Sequence, residues 1–318
     1  MLQLFVEMKF SAELAAPKLR ELAAQNIYLG TSSWKYPGWI GQVYKRDYSG
    51  PRSLVNKQRF EAESLAEYAQ VFPTVCLDEA YWRFPNPDAL ARYATMVPDD
   101  FRFALKVTKF ITERRDHQGK LNPDYLDATL FKQQFLEPVR QALGQKLGPI
   151  IFEFSPFFFD REWGHNDYSV LQFLKDYHRF FSAIPKLETQ LAVEVRDPKL
   201  LAVPKYFEGL KYHRLAYTFN EQTWMPEISE QLQIPGVFST DFSVMRLLVR
   251  PGVKHNEAVE EFAPYDRTQL VLPRLREGFV EAIRKSQVNG RGLYAYTNNR
   301  VEGNAPNTIW AVLKLLFP

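Results

Sequence analysis

The chain has 318 residues, 46% hydrophobic and 15% aromatic, which supplies a large core and excludes a disordered or low-complexity polypeptide. Forty Lys and Arg against 37 Asp and Glu leave a net charge of +3, too little for a global DNA or anionic-membrane footprint, so any basic surface has to be local. The single cysteine, Cys76, excludes an intrachain disulfide and a thiolate metal cluster and fits a reducing compartment.

Glu7 and Lys9 interrupt the opening decapeptide where a secretory signal needs an apolar core, so no export is expected, and residues 1–25 read as an N-terminal extension. Eight short apolar runs follow in order: Ile27 to Thr31, Thr74 to Asp78, Phe101 to Val107, Pro149 to Phe154, Leu191 to Val195, Arg214 to Thr218, Val244 to Val249 and Leu293 to Thr297. Amphipathic helices are predicted between several of them, at Leu54 to Val71, Leu126 to Leu143 and Tyr168 to Phe181, with another opening near Asn304. Strand then helix, eight times, predicts an α/β fold, a (β/α)₈ TIM-type barrel forming one domain. The segment from Pro226 to Ser243 carries only weak helical signals. The polar tract 110–125 reads either as a loop over the strand-end face or as a solvated insertion. No apolar run approaches the roughly 20 residues that span a bilayer; Glu153 and Pro156 break the richest one, and a soluble cytoplasmic protein with no membrane partner is expected.

Near the C-terminus, Tyr294-Ala-Tyr-Thr-Asn-Asn-Arg-Val-Glu-Gly-Asn-Ala-Pro306 runs an apolar strand into amides and both charge signs. Near the other end stands Gly30-Thr-Ser-Ser-Trp-Lys-Tyr-Pro-Gly-Trp39. With Phe103-Ala-Leu-Lys106 and Phe110-Ile-Thr112, Gly148-Pro-Ile-Ile-Phe-Glu153, and Val193-Glu-Val-Arg196, these motifs make the chain resemble the domain of unknown function 72 family over most of its length. The resemblance implies a TIM barrel and a site at the strand ends, but no reaction. The chain departs from the family pattern where histidines accompany the motifs: Glu113, Asp197 and Arg300 stand in such places, and Arg250-Pro-Gly252 replaces a His-Gly segment. Cys76 stands where the second strand bears Glu, and Glu153 where the fourth bears Gln. A family activity that relies on imidazole is therefore not implied for this chain.

In a barrel the strand C-termini converge, so Lys106, Glu153, Glu194, Arg196, Arg250, Asn298, Asn299 and Glu302 form the candidate pocket. Two readings stand side by side: a catalytic pocket, or a buried network in which Lys106 and Arg196 merely neutralise Glu153 and Glu194. They differ in whether water or ligand reaches the group. In the catalytic reading, Lys106 as a point charge and Arg196 and Arg250 as forks suit a small anionic ligand, phosphate being the natural choice. Glu153 or Glu194 would be the general acid or base, and Asn298 and Asn299 would hold a developing oxyanion. This points to hydrolysis or transfer at a phosphorylated small molecule or nucleotide.

Five histidines, His117, His165, His178, His213 and His255, show no ligand-like spacing and lie outside the motifs, so a zinc cluster is not expected. A single Mg²⁺ would have Asp78, Glu79 and Glu302 as donors. Thr31, Trp34, Tyr36 and Trp39, with Tyr81 and Trp82, line the strand ends as candidate substrate contacts, the aromatics either stacking on rings or locking a long loop onto the barrel. With Lys109, Arg114, Arg115 and Lys120, the aromatic loop also supports a second reading, a nucleic-acid-binding module. A third is a catalytically degenerate barrel kept as an interaction protein. Cys76, between Val75 and Leu77, reads as a small core residue.

Overall fold

A computed structural model of the protein describes residues 9–51, 54–116, 118–154, 168–185, 188–222, 224–249 and 261–318. Eight parallel strands close into a barrel in sequence order: β1 (Ile27–Ser32), β2 (Thr74–Leu77), β3 (Arg102–Lys106), β4 (Leu147–Phe154), β5 (Leu191–Val195), β6 (Ala216–Glu221), β7 (Phe242–Leu247) and β8 (Gly292–Thr297). β8 returns to β1 with Ile27 beside Leu293 and Thr31 beside Thr297. The (β/α)₈ architecture read from the sequence is the observed one. Two strands are displaced from their expected bounds. Arg214 adopts a left-handed φ of 56° after the preceding helix, which delays β6, and β7 starts and stops two residues early.

The helices are α1 (Ala12–Ala23), α2 (Lys57–Val71), α3 (Pro87–Thr95), α4 (Lys109–Thr112), α5 (Ala128–Phe131), which runs through a π-helical turn into α6 (Glu137–Leu143), α7 (Val170–Ala183), α8 (Pro204–His213), α9 (Ile228–Gln231), α10 (Pro273–Val288) and α11 (Ala305–Leu316). Side-chain caps set the starts. Asn56 accepts from the Arg59 amide, Asp127 from those of Thr129 and Leu130, Ser169 from Gln172 and Asn304 from Asn307. Asn56 explains why α2 begins after Leu54, which is left exposed. Of the stretch expected to be an extension, the described residues 9–25 join the helical shell: α1 buries Leu19 and Leu22, and the Phe10 amide donates to Asn307 at 2.9 Å. The polar tract after β3 is also built in, with Ile111 and Thr112 buried and the Asn122 side chain tying the Phe110 and Glu113 carbonyls together. No helix among the described residues is long and apolar enough to cross a membrane.

Two apolar layers hold the barrel. Most of the core lies between the sheet's outer face and the helices, while a second cluster fills the lumen: Tyr28, Cys76, Ala104, Ile151, Ala192, Ala216, Phe242, Val244, Tyr294 and Tyr296. Small residues on β3, β5 and β6 make room for the tyrosines of β8 and β1, and Tyr28 stacks on Tyr294 with 4.8 Å between ring centres. Gly30 is the tightest point, because a Cβ there would lie 2.1 Å from the Thr74 carbonyl oxygen of β2. Gly30→Ala is therefore expected to destabilise the protein by about 1–3 kcal/mol in urea denaturation; an unchanged midpoint would mean that β1 and β2 are not this close.

Candidate functional site

Successive residues of a strand point to opposite faces, so the lumen can be followed upward in steps of two. One step beyond the apolar plug its chemistry changes. Cys76 is followed by Asp78, Ala104 by Lys106, Ile151 by Glu153, Ala192 by Glu194 and then Arg196, Val244 by Arg246, and Tyr296 by Asn298. An oily plug thus carries a charged layer at the C-terminal mouth, the end where strands and their following loops gather functional groups in this fold.

Six of these side chains form one ion network. Arg246 is 1% exposed and joins three strands: Nη1 donates to Glu194 Oε2 at 2.6 Å and to Glu153 Oε2 at 3.0 Å, and Nη2 to Asp78 Oδ1 at 2.8 Å. Arg196 donates from Nε to Glu194 Oε1 at 2.8 Å and from Nη2 to Glu153 Oε2 at 2.5 Å. Lys106 Nζ lies 2.6 Å from the same Glu153 oxygen and 3.5 Å from the centre of the Tyr81 ring. Tyr81 in turn donates its hydroxyl to Glu113. The Glu153–Glu194 pairing follows from the sheet register, which places those two residues side by side.

Three cations and three carboxylates balance, as burial requires, since an unpaired charge here would carry a large desolvation cost. Burial pushes the Glu153 carboxyl up, but Arg196, Lys106 and Arg246 together outweigh it and hold it down at about 2. Burial lowers Lys106 below the ordinary lysine range, with Glu153 opposing and the two arginines adding to the fall. Exposure is graded across the network: the Glu194 and Glu153 side chains are closed off, Lys106 is 9% and Arg196 18% exposed, and Asp78 is 30% exposed. Arg196 Nη1 makes no hydrogen bond among the described residues and is not enclosed. Ser32 Oγ, Asn220 Oδ1 and Arg246 Nε are buried without a hydrogen-bond partner among the described residues.

Of the side chains expected to share the pocket, Lys106, Glu153, Glu194 and Arg196 meet in this network. Arg250 lies outside the described residues. Asn298 continues the lumen alternation and its Oδ1 accepts from the Arg300 amide. Asn299 does not face the mouth: its Oδ1 accepts from the Ala305 amide at 2.8 Å and from Trp39 Nε1 at 3.3 Å, fastening the start of α11. Glu302 is fully buried and held by a two-pronged contact from Arg276, by the Leu272 amide at 2.6 Å and by Thr308 at 2.8 Å. It joins α10 to α11 and is paired with Arg276, apart from the ion network at the mouth.

Thr31 likewise points away from the lumen, with its amide and hydroxyl on Tyr68 of α2. Trp34 and Trp39 are 1% and 0% exposed, packed on Tyr93 and Tyr36 respectively, so these two rings are locked to the barrel and present no face to a base. Tyr36 alone stays near the rim; its phenol, raised to about 12 by burial, feels both Arg300 and Asp78. The exposed ring is Trp82, with Lys109 Nζ 4.8 Å from its centre.

The acids considered for Mg²⁺ do not converge, since Asp78, Glu79 and Glu302 are each paired with a different cation, Arg246, Lys35 and Arg276. No group of three or more His, Cys, Asp and Glu able to hold a metal occurs among the described residues. Two histidines without ligand-like sequence spacing do meet: His178 Nδ1 and His213 Nε2 are 2.9 Å apart between α7 and α8. His117, His165 and His255 lie outside the described residues.

The sequence reading missed Arg246 altogether and gave Asp78 only to a metal. The signal for Arg246 was a lone arginine in the inward register of an apolar strand, Phe242-Ser-Val-Met-Arg-Leu247.

Comparison with known proteins agrees with the fold. The crystal structure of a DUF72 family protein, TM1631 from Thermotoga maritima, superposes with a TM-score of 0.60 at 20% identity, covering 92% of this chain and 99% of that one. A second, EF0366 from Enterococcus faecalis, gives 0.59 at 18% identity over 91% and 95% of the two chains. UPF0759 protein YecE of Escherichia coli K12 is 25% identical over 176 residues, 55% of this chain; the chain spans about half the length of the curated relatives it matches. The family described as Protein of unknown function DUF72 matches residues 28–317, and the chain belongs to that family.

Proposed function

We propose that the barrel mouth is the active site for a small anionic substrate, with Arg196 and Lys106 as the groups that take its carboxylate or phosphate. The observation that carries this reading is the gradient of exposure across a compensated network. A purely structural ion cluster has no need of an outer edge, whereas here Arg196 keeps a guanidinium nitrogen with no hydrogen bond among the described residues and Lys106 a solvent-touching ammonium, both side chains being on the same Glu153 oxygen. Two cationic donors that share an oxygen are within about 6 Å of each other, the separation at which one phosphate or carboxylate accepts from both. Beneath them, Glu153, Glu194 and Arg246 fix the donors, so little ordering is left to occur on binding. Hydrolysis or transfer at a phosphorylated small molecule or nucleotide is the chemistry this placement serves, with Asp78 as the carboxylate nearest solvent.

Calorimetric titration with inorganic phosphate and with pyruvate is the test. Arg196→Gln is expected to weaken binding at least tenfold, about 1.4 kcal/mol, with the fold intact by circular dichroism. Lys109→Gln, beside the exposed Trp82, is expected to leave it unchanged. Binding that follows Lys109 and ignores Arg196 would refute the site and favour the nucleic-acid reading.

A further inference from the structure

Among the three cations of the network only one can lose its proton. The two guanidiniums stay charged at any pH the protein survives, whereas Lys106 is an amine, and burial already lowers its proton affinity. That loss would leave every carboxylate of the network in contact with an arginine, with one net negative charge in the layer until a cation is restored at the same place. Without Lys106 as a cation, Glu153 still holds Arg196 and Arg246, Glu194 still holds both arginines, and Asp78 still holds Arg246. No carboxylate would be stranded.

Resting on the anionic-substrate reading of the mouth, we infer that Lys106 is a nucleophile that forms an imine with a carbonyl compound bearing a carboxylate or phosphate, 2-oxo acids being the simplest class. The Tyr81 ring covers one side of Nζ at 3.5 Å, and Glu153 closes another at 2.6 Å, leaving approach from the mouth. Arg196, whose Nη2 shares the Glu153 oxygen with Nζ, has Nη1 left to hold the substrate's anionic group, which would place the carbonyl carbon next to the amine. The step balances without a further reagent. Lys106 releases a proton to solvent, its lone pair bonds to the carbonyl carbon, and the carbonyl oxygen takes up protons and leaves as water. Overall, ammonium plus carbonyl gives a protonated imine plus water. The positive charge returns to the same place, so Glu153 and the Tyr81 face stabilise the imine as they stabilise the ammonium.

The test is trapping. The wild-type protein is incubated with pyruvate and cyanoborohydride, and the reduced adduct is located by peptide mass mapping, with acetone as a carbonyl probe that lacks the anion. The expected result is one adduct per chain, on Lys106, saturable in pyruvate, absent with acetone and suppressed at least tenfold by excess phosphate. Lys106→Arg, which keeps the charge, is expected to abolish trapping, and Lys109→Gln, beside the exposed Trp82, to leave it unchanged. No adduct, or adducts spread over surface lysines, in a protein that binds phosphate in an Arg196-dependent manner would overturn the imine and leave the anion site standing. Loss of phosphate binding to Arg196 in the wild type would overturn both.

Discussion

Arg246→Met is expected to destabilise the protein by about 3–5 kcal/mol, read from urea denaturation at neutral pH, the loss typical of breaking a buried pair from one side. Met matches the arginine stem but carries no charge, so Asp78, Glu153 and Glu194 are left with Lys106 and Arg196 alone. Glu194, fully enclosed and held otherwise only by Arg196, suffers most. The cost should shrink as pH is lowered, because protonating one carboxylate restores neutrality. A change under 1 kcal/mol, the range of exposed pairs, would show that water screens the network and that it is not closed below its outer edge.

Stability is also expected to fall away on both sides of an optimum near pH 4.5–5, through two glutamates displaced in opposite directions. Glu153 is held at about 2, below the ordinary 4.5, so its contribution is complete above 4.5 and disappears as pH falls toward 2. That displacement corresponds to about 3 kcal/mol. Glu221, at the end of β6, is raised to about 7 by burial first and by Glu227 second, against an opposing hydrogen bond from the Ile228 amide. Its sign is reversed: the folded state binds the proton more tightly, so the contribution is complete below 4.5 and disappears as pH rises through 7, again by about 3 kcal/mol. Glu153→Gln should flatten the acid side and Glu221→Gln the neutral side, each measurable as urea midpoints from pH 2.5 to 8.5. An unchanged neutral side in Glu221→Gln would mean that solvent reaches that carboxylate.

The barrel was legible in the sequence because strands buried on both faces read as continuous apolar runs, and eight of them alternate with capped helices. The site was legible only where strand ends were placed correctly. Lys106, Glu153 and Glu194 lie in strands, and Arg196 just after one, whose final residues were read within one position, and they meet. For β7 the expected end was Val249, which drew attention to Arg250; the strand stops at Leu247, and Arg246 is the inward residue there. On β6 the slip runs the other way: the expected end was Thr218, the strand continues to Glu221, and Asn220 was missed. After β8 only Asn298 keeps the strand's alternation, and the chain then turns to cap α11, turning Asn299 and Glu302 into fastenings. Local composition looks alike for a rim residue and for a cap, and only the register separates them.

The decisive measurement is a crystal structure of the protein soaked with phosphate and, separately, with pyruvate. Phosphate within hydrogen-bond distance of both Arg196 Nη1 and Lys106 Nζ, and pyruvate with its carboxylate on Arg196 Nη1 and its carbonyl carbon at Lys106 Nζ, with Arg246 still seated on Asp78, Glu153 and Glu194, is the predicted result. Anions found only on surface lysines while the six charges stay mutually closed would contradict the proposal, and the network would then be a structural device of the barrel.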